Sequence, residues 1–112
     1  MPFEIFEEGD VWILSPKSRV GLDDHNWIKE SMAAGLEKGG RRFLVDLASL
    51  DLVTTPFLGL LVSMQKQVAQ RQGRLVLSGL SPYAREIFDL TRLSKVFEIA
   101  PDRGAAKDLL IR

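Results

Sequence analysis

The sequence contains no cysteine, and this absence excludes several kinds of site at once. Disulfide bonds, thiolate zinc sites and cysteine nucleophiles all require that residue. Histidine is almost as scarce, because His25 is the only one in 112 residues, and a Ser–His–Asp triad would have to use it. The stretch DDHN at 23–26 offers oxygen and nitrogen ligands, but neighbours on a helix point in different directions. We therefore expect a helix start there rather than a metal site.

The chain also lacks an excess of charge of either sign. Lysine and arginine number 15, aspartate and glutamate number 15, and the formal net charge is 0 at pH 7. A balanced charge gives no electrostatic reason to bind nucleic acid or an anionic membrane. No glycine pattern resembles a Walker loop or a dinucleotide-binding loop. We therefore expect no nucleic-acid partner and no cofactor, and an enzyme is the least favoured class of function.

Long apolar runs are missing as well. No stretch reaches the roughly 18 consecutive apolar residues of a membrane-spanning helix. The start, MPFEIFEEGD, has neither the basic nor the apolar segment of a secretory signal. These features predict a cytoplasmic protein without membrane insertion. With 46% hydrophobic residues, the chain is expected to form one globular domain over 1–112.

The sequence does contain an alternation of short apolar runs and helical patterns. Asp23 or Asp24 can cap a first helix, in which Ile28, Met32 and Leu36 keep the spacing of one buried stripe. Alternation with short connections is typical of an α/β layer structure. The predicted order is strands at about 3–7 and 10–15, the first helix, strand RRFLVDL at 41–47, a helix at 56–72, strand RLVLSG at 74–79, a helix within 81–93, strand KVFEIA at 95–100 and a helix at 101–111.

Two threonines and a proline, at 54–56, separate an apolar strand from the helix at 56–72. Thr55 fits the N-cap, since its oxygen can accept a hydrogen bond from a free N–H of the first turn. Proline at the first helical position loses only an N–H that has no helical partner, and Ser81-Pro82 repeats this arrangement. Thr54 is less easily explained, although it could satisfy a turn. Thr55 is therefore expected to cap the helix with an exposed side chain, which leaves both plain capping and a modification site open.

The order of these segments resembles the STAS domain, the fold of bacterial anti-sigma factor antagonists. The resemblance covers nearly the whole chain, and it is strongest over residues 75–98. It implies an α/β fold, a single STAS-like domain with a mixed β-sheet of four to five strands and helices packed mainly on one face. The stretches that carry it are GLDDHN at 21–26, RRFLVDLASLDLV at 41–53 with the following FLGLL, and LVLSGLSPYAREIFDLTRLSKVFEI at 75–99.

The resemblance also implies a phosphorylation site. In the family, the strand-to-helix junction usually reads Asp-Ser-Ser-Gly-Leu-Gly, and a partner kinase phosphorylates the first serine. The stretch TTPFLG at 54–59 falls on this motif, and Leu58 and Gly59 match it. Thr55 falls on the phosphoacceptor, and Thr54 is the fallback.

Three positions depart from the motif of the family. Thr54 replaces the aspartate, Pro56 the second serine and Phe57 the glycine. A large ring at Phe57 stands where the family keeps the surface bare for a partner. Helical spacing gives an alternative interpretation, in which Phe57 lies in the core in line with Leu61 and Met64.

The function implied by the resemblance is that of a regulatory protein-binding module. It would be an anti-sigma factor antagonist that binds a kinase-type anti-sigma factor, which supplies the ATP and magnesium, and a protein phosphatase would reset it. The alternative is a non-phosphorylated STAS scaffold subunit of a larger complex, such as a stress-signalling assembly or a transporter, and the altered TTPF favours this alternative. The expected partner surface joins the acidic loop to the start of the 56–72 helix: Leu22, Asp23, Asp24, Thr54, Thr55, Phe57 and Gly59.

Overall fold

Strands and helices alternate in a computed structural model of the protein, which describes residues 3–17, 20–50 and 52–111. The side chain of Leu22 also lies outside what the structure describes. A short 3-10 helix at Leu93–Lys95 precedes the last strand. The elements are β1 (Phe3–Glu8), β2 (Val11–Pro16), α1 (Leu22–Glu37), β3 (Arg42–Asp46), α2 (Thr55–Gln70), β4 (Arg74–Ser78), α3 (Pro82–Leu90), β5 (Glu98–Ala100) and α4 (Arg103–Ile111).

The strands form one mixed sheet in the order β1-β2-β3-β4-β5. β1 and β2 are antiparallel, joined by a tight turn at Gly9, whose φ is 61°. The next three pairs are parallel, because a helix connects each strand to its neighbour. The predicted fold class, α/β with a mixed sheet of four to five strands, is confirmed.

Helices cover the two faces of the sheet unequally. α1, α2 and α3 pack on one face, where the larger core includes Ile28, Met64 and Phe88. α4 covers the other face, where Ala106 and Leu110 pack against the apolar side chains of the strands. The prediction of helices mainly on one face is therefore confirmed. None of the helices in the described part of the chain is long and apolar enough to span a membrane.

Some predicted boundaries shift by a few residues for local reasons. The strand predicted at 95–100 begins only at Glu98, because the backbone N–H groups of Val96 and Phe97 bond to the carbonyl of Leu93 instead of a neighbouring strand. The last helix begins at Arg103 rather than at 101, and the Asp102 carboxylate before it accepts a hydrogen bond from a first-turn N–H.

Candidate functional site

Thr54 caps α2. It has an extended backbone (φ −104°, ψ 158°), and its Oγ1 accepts a hydrogen bond from the N–H of Phe57 at 3.2 Å. The prediction that Thr55 is the cap is therefore wrong. The helix begins at Thr55, one residue earlier than expected, and Pro56 occupies its second position. Proline is tolerated there because an N–H at that position would have no acceptor within the helix.

Thr55 is the first residue of α2, and its side chain is exposed, as predicted. Thr55 stands at the positive end of the helix dipole, although Pro56 has no N–H and the N–H of Phe57 is already bonded to Thr54 Oγ1. The first turn of α2 contains no acidic residue, so the positive end is not neutralised from within the helix. An anionic group on the hydroxyl of Thr55 would meet favourable electrostatics there.

Phe57 belongs to the core and not to the surface. It is 2% exposed and packs in the larger core together with Leu61 and Met64. Its expected contact with a partner therefore does not hold, and the alternative interpretation as a core residue is correct. The physical reason is the helical spacing, which turns Phe57 toward the sheet on the same line as Leu61 and Met64.

Gly59 lies on the exposed side of α2, one turn beyond Thr55. A Cβ atom built on Gly59 meets no atom within 4 Å outside its own helical turn, so no packing contact of the described residues requires a glycine there. Glycine inside a helix is destabilising by roughly 0.5–1 kcal/mol relative to alanine. The fold therefore gives no reason for the choice of residue at this position.

The acidic residues lie in the first turn of α1 and do not cap it in the expected way. Gly21 is the N-cap, with an extended backbone (φ −80°, ψ 166°). Asp24 accepts a hydrogen bond from the N–H of Gly21 at 3.0 Å through Oδ2, and its own N–H donates to the carbonyl of Gly21 at 3.0 Å. The side chain of Asp24 thus reaches back from the third helical position to the N-cap residue. The side chain of Asp23 is exposed. Leu22 is the first residue of the helix, and its side chain lies outside what is described.

The starts of α1 and α2 lie at the same edge of the sheet. Each helix follows one of two adjacent parallel strands, so both begin where these strands end. At their other ends, Arg71 Nη2 and Glu37 Oε1 are 2.6 Å apart. That the two starts form one partner surface stays a prediction.

Sequence analysis missed a polar contact behind the segment that leads to Thr54. Asp46, the last residue of β3, is 7% exposed. Its Oδ1 accepts a hydrogen bond from the N–H of Ala48 at 3.0 Å, and its Oδ2 accepts one from Arg103 Nε at 2.9 Å. The sequence did contain a signal for this contact, because a carboxylate stands near the end of the apolar run RRFLVDL. A charge buried in such a strand requires a partner, although the sequence does not say which.

Comparison with known proteins agrees with this architecture. The family model described as "Mlab, STAS domain" matches residues 7–101. BtrV of Bordetella bronchiseptica, described as an anti-sigma factor antagonist, is 37% identical over 79 residues, which are 70% of this chain and 68% of BtrV. The anti-sigma-B factor antagonist of Listeria monocytogenes is 35% identical over 77 residues, with 69% and 68% of the two chains covered. The chain belongs to the STAS domain family, and both of these relatives are described as anti-sigma factor antagonists.

Solved structures share the fold. A Thermotoga maritima structure described as an anti-sigma factor antagonist superimposes with a TM-score of 0.88 at 21% identity, over 98% of this chain and 95% of that one. The Bacillus cell fate determinant SpoIIAA in its phosphorylated form has a TM-score of 0.76 at 15% identity, over 96% and 98% of the chains. At these identities the likeness shows the fold alone.

Proposed function

We propose that this protein is an anti-sigma factor antagonist that binds a kinase-type anti-sigma factor and is released when Thr55 is phosphorylated. The observation that carries the proposal is the exposed hydroxyl of Thr55 on the first residue of α2, at the position of the phosphoacceptor in the family motif. The STAS relatives, named as anti-sigma factor antagonists, support the class of partner.

The chemistry of the switch belongs to the partner. The γ-phosphoryl group of a magnesium-bound ATP passes to Thr55 Oγ1, ADP leaves with the bridging oxygen, and the hydroxyl proton goes to a base on the kinase. This chain contributes only the acceptor and acts as no enzyme. A protein phosphatase returns it to the binding form, and all three proteins act in the cytoplasm.

The phosphate acts on binding and leaves the fold intact. It adds about 1.5 to 2 negative charges at the positive end of α2, where the helix dipole favours negative charge and the first turn holds no acidic side chain. A partner docked over the same helix end has to bury these charges or leave. The energetic cost falls on the complex because an unpaired buried charge is far less stable than a solvated one.

Gly59 supports the close approach of a partner to α2. The residue is exposed, the space around it is open, and glycine is unfavourable inside a helix. A requirement for a bare helix surface accounts for it, since any side chain there would hold a partner away from the backbone. Asp23 and Asp24, in the first turn of α1, complete the proposed surface with Thr54 and Thr55, because both helices begin where two adjacent parallel strands end.

The scaffold alternative rests on the sequence of the junction itself. Thr54 stands where the family has an aspartate, and its hydroxyl is occupied as the helix cap. A kinase that recognises the carboxylate of the family motif does not find it here. In this alternative the same surface binds a partner constitutively, as one subunit of a larger complex.

A capture experiment with matched baits tests the proposal. Wild type, Thr55→Ala and Thr55→Glu are immobilised, and native lysate is passed over them. We expect an ATP-binding anti-sigma factor on wild type and Thr55→Ala, and a large loss of that protein on Thr55→Glu. Equal capture by all three baits would contradict the switch and favour the scaffold. Absence of any anti-sigma factor from all three would contradict the proposed class of partner.

A further inference from the structure

The carboxylate of Asp46 anchors the beginning of the loop that leads from β3 to α2. Asp46 binds the N–H of Ala48 with one oxygen and Arg103 Nε with the other, so it joins the loop to α4. Arg103 is the first residue of α4, and its guanidinium also lies over the ring of Phe6 on β1, 5.8 Å from the centroid. Arg103 therefore connects α4 and β1 to the loop.

The beginning of the loop is closely packed against the end of β4. The N–H of Leu47 donates to the carbonyl of Ser78 at 2.8 Å. Gly79 has a φ of 72°, and a Cβ built there would lie 2.9 Å from the Cβ of Ala48 and 3.0 Å from Oδ1 of Asp46. This close approach leaves little room for Ala48 to move while the carboxylate stays in place.

The same loop then passes to the candidate site. Leu50 is half-buried against the larger core, and Leu52 follows with 41% of its surface exposed. Thr54 ends the loop as the cap of α2, with Thr55 next to it.

We propose that Arg103 is a positioning residue, which through Asp46 fixes residues 47–50 of the loop and so positions Thr55, which follows the loop, for the kinase-type partner. The inference rests on the proposed function for the role of the loop, while the anchoring itself concerns this chain alone. Without Arg103, the nearly buried carboxylate keeps the N–H of Ala48 as its one remaining hydrogen-bond partner among the described residues. Asp46 then turns toward solvent, and the first turn of the loop loses its support.

A matched pair of variants separates anchoring from general stability. Arg103→Met removes the guanidinium but keeps an apolar stem next to Phe6. Arg74→Met is the control, because Arg74 also holds α4, through the carbonyl of Leu109 at 2.6 Å, and also pairs with a carboxylate, Glu98. Arg74 is the first residue of β4 and Asp46 is the last residue of β3, so this control acts at the opposite end of the parallel strands.

Hydrogen exchange of the purified protein tests the anchor without any partner. We expect the amides of Leu47, Ala48 and Leu50, each of which is hydrogen-bonded, to exchange about 10-fold faster in Arg103→Met, and Asp46→Asn to give a similar acceleration. The two changes combined should accelerate exchange little further, since they remove one interaction. Unchanged exchange in Arg103→Met, or equal acceleration in Arg74→Met, would overturn the anchor.

Phosphorylation kinetics with the captured anti-sigma factor test the presentation. In Arg103→Met we expect kcat for labelling of Thr55 to fall about 10-fold because the acceptor is less well oriented, with the KM for ATP unchanged. Arg74→Met should match wild type. Faster loop exchange with wild-type kcat would overturn the positioning role. If wild type itself is not labelled, the proposed function fails, and the exchange data still decide the anchor.

Discussion

Replacing Thr54 by alanine should have a different effect from replacing its neighbour Thr55. Thr54→Ala removes the Oγ1 that accepts the N–H of Phe57 at 3.2 Å, and that N–H has no other partner within the helix. Thr55→Ala removes a hydroxyl that is exposed and outside the cap. The first variant should therefore lose stability, and the second should lose the phosphoacceptor without a comparable loss of stability.

The expected loss of stability in Thr54→Ala follows from the loss of the cap hydrogen bond. Replacing an N-cap threonine by alanine costs about 1 kcal/mol of folding free energy, within a range of roughly 0.5–2 kcal/mol. An exposed substitution such as Thr55→Ala changes it by about 0.5 kcal/mol or less. In a domain of this size, a loss of about 1 kcal/mol lowers Tm by about 4 °C. Both variants should therefore stay folded, because a domain typically has about 5–15 kcal/mol of stability.

Urea unfolding followed by circular dichroism measures the difference. Thr54→Ala should shift the midpoint to lower urea with an unchanged slope, Thr54→Ser should restore it, and Thr55→Ala should overlay wild type. The reverse order, with Thr55→Ala the less stable variant, would refute the assignment of the cap and with it the geometry of the site. Equal losses in both would show that the hydroxyls share the cap.

Further predictions concern the core, a second cap and an ion pair. Phe57→Ala should cost about 3–5 kcal/mol in urea unfolding because the ring is 2% exposed, and a loss below about 1 kcal/mol would contradict its core position. Ser81→Ala should lower the free energy of unfolding by about 1 kcal/mol because it removes the cap of α3. Ser78→Ala should leave that free energy unchanged or raise it, since the buried hydroxyl of Ser78 has no hydrogen-bond partner among the described residues. A larger loss in Ser78→Ala than in Ser81→Ala would contradict both assignments. The Arg74 guanidinium hydrogen-bonded to Glu98 holds the pKa of that carboxyl below its usual range. Stabilisation by Glu98 is therefore present above the usual glutamate pKa and lost as pH falls through the lowered one. Wild type should exceed Glu98→Gln by a few tenths of a kcal/mol at about pH 7, and this difference should disappear in acid. A difference that persists in acid would contradict the ion pair.

Most of the fold could be predicted from the sequence because its patterns are local. The stripe of Ile28, Met32 and Leu36 identified α1, and all three side chains are buried. Alternation of strands and helices identified the α/β class, and the resemblance supplied the mixed sheet. The strand predicted at 95–100 was partly wrong, because apolar runs at Val96 and Phe97 do not distinguish a strand from an irregular turn.

The candidate site was predicted less completely, for two physical reasons. A Thr-Thr-Pro segment allows either threonine to cap, since proline is tolerated at the first and the second helical position, and only the backbone decides. The contact of Asp46 with Arg103 joins residues 57 positions apart, so no local pattern reveals it. The burial of Phe57, in contrast, could be inferred from its helical spacing with Leu61 and Met64.

The central claim is that phosphate on Thr55 switches this protein between bound and free forms. Site-mapped mass spectrometry after incubation with the purified anti-sigma factor and ATP tests it most directly. We expect phosphate on Thr55 in wild type and in Thr54→Ala, no phosphate in Thr55→Ala, and release of the phosphorylated protein from the complex. A stable complex that carries no phosphate on either threonine would contradict the switch and leave the scaffold interpretation.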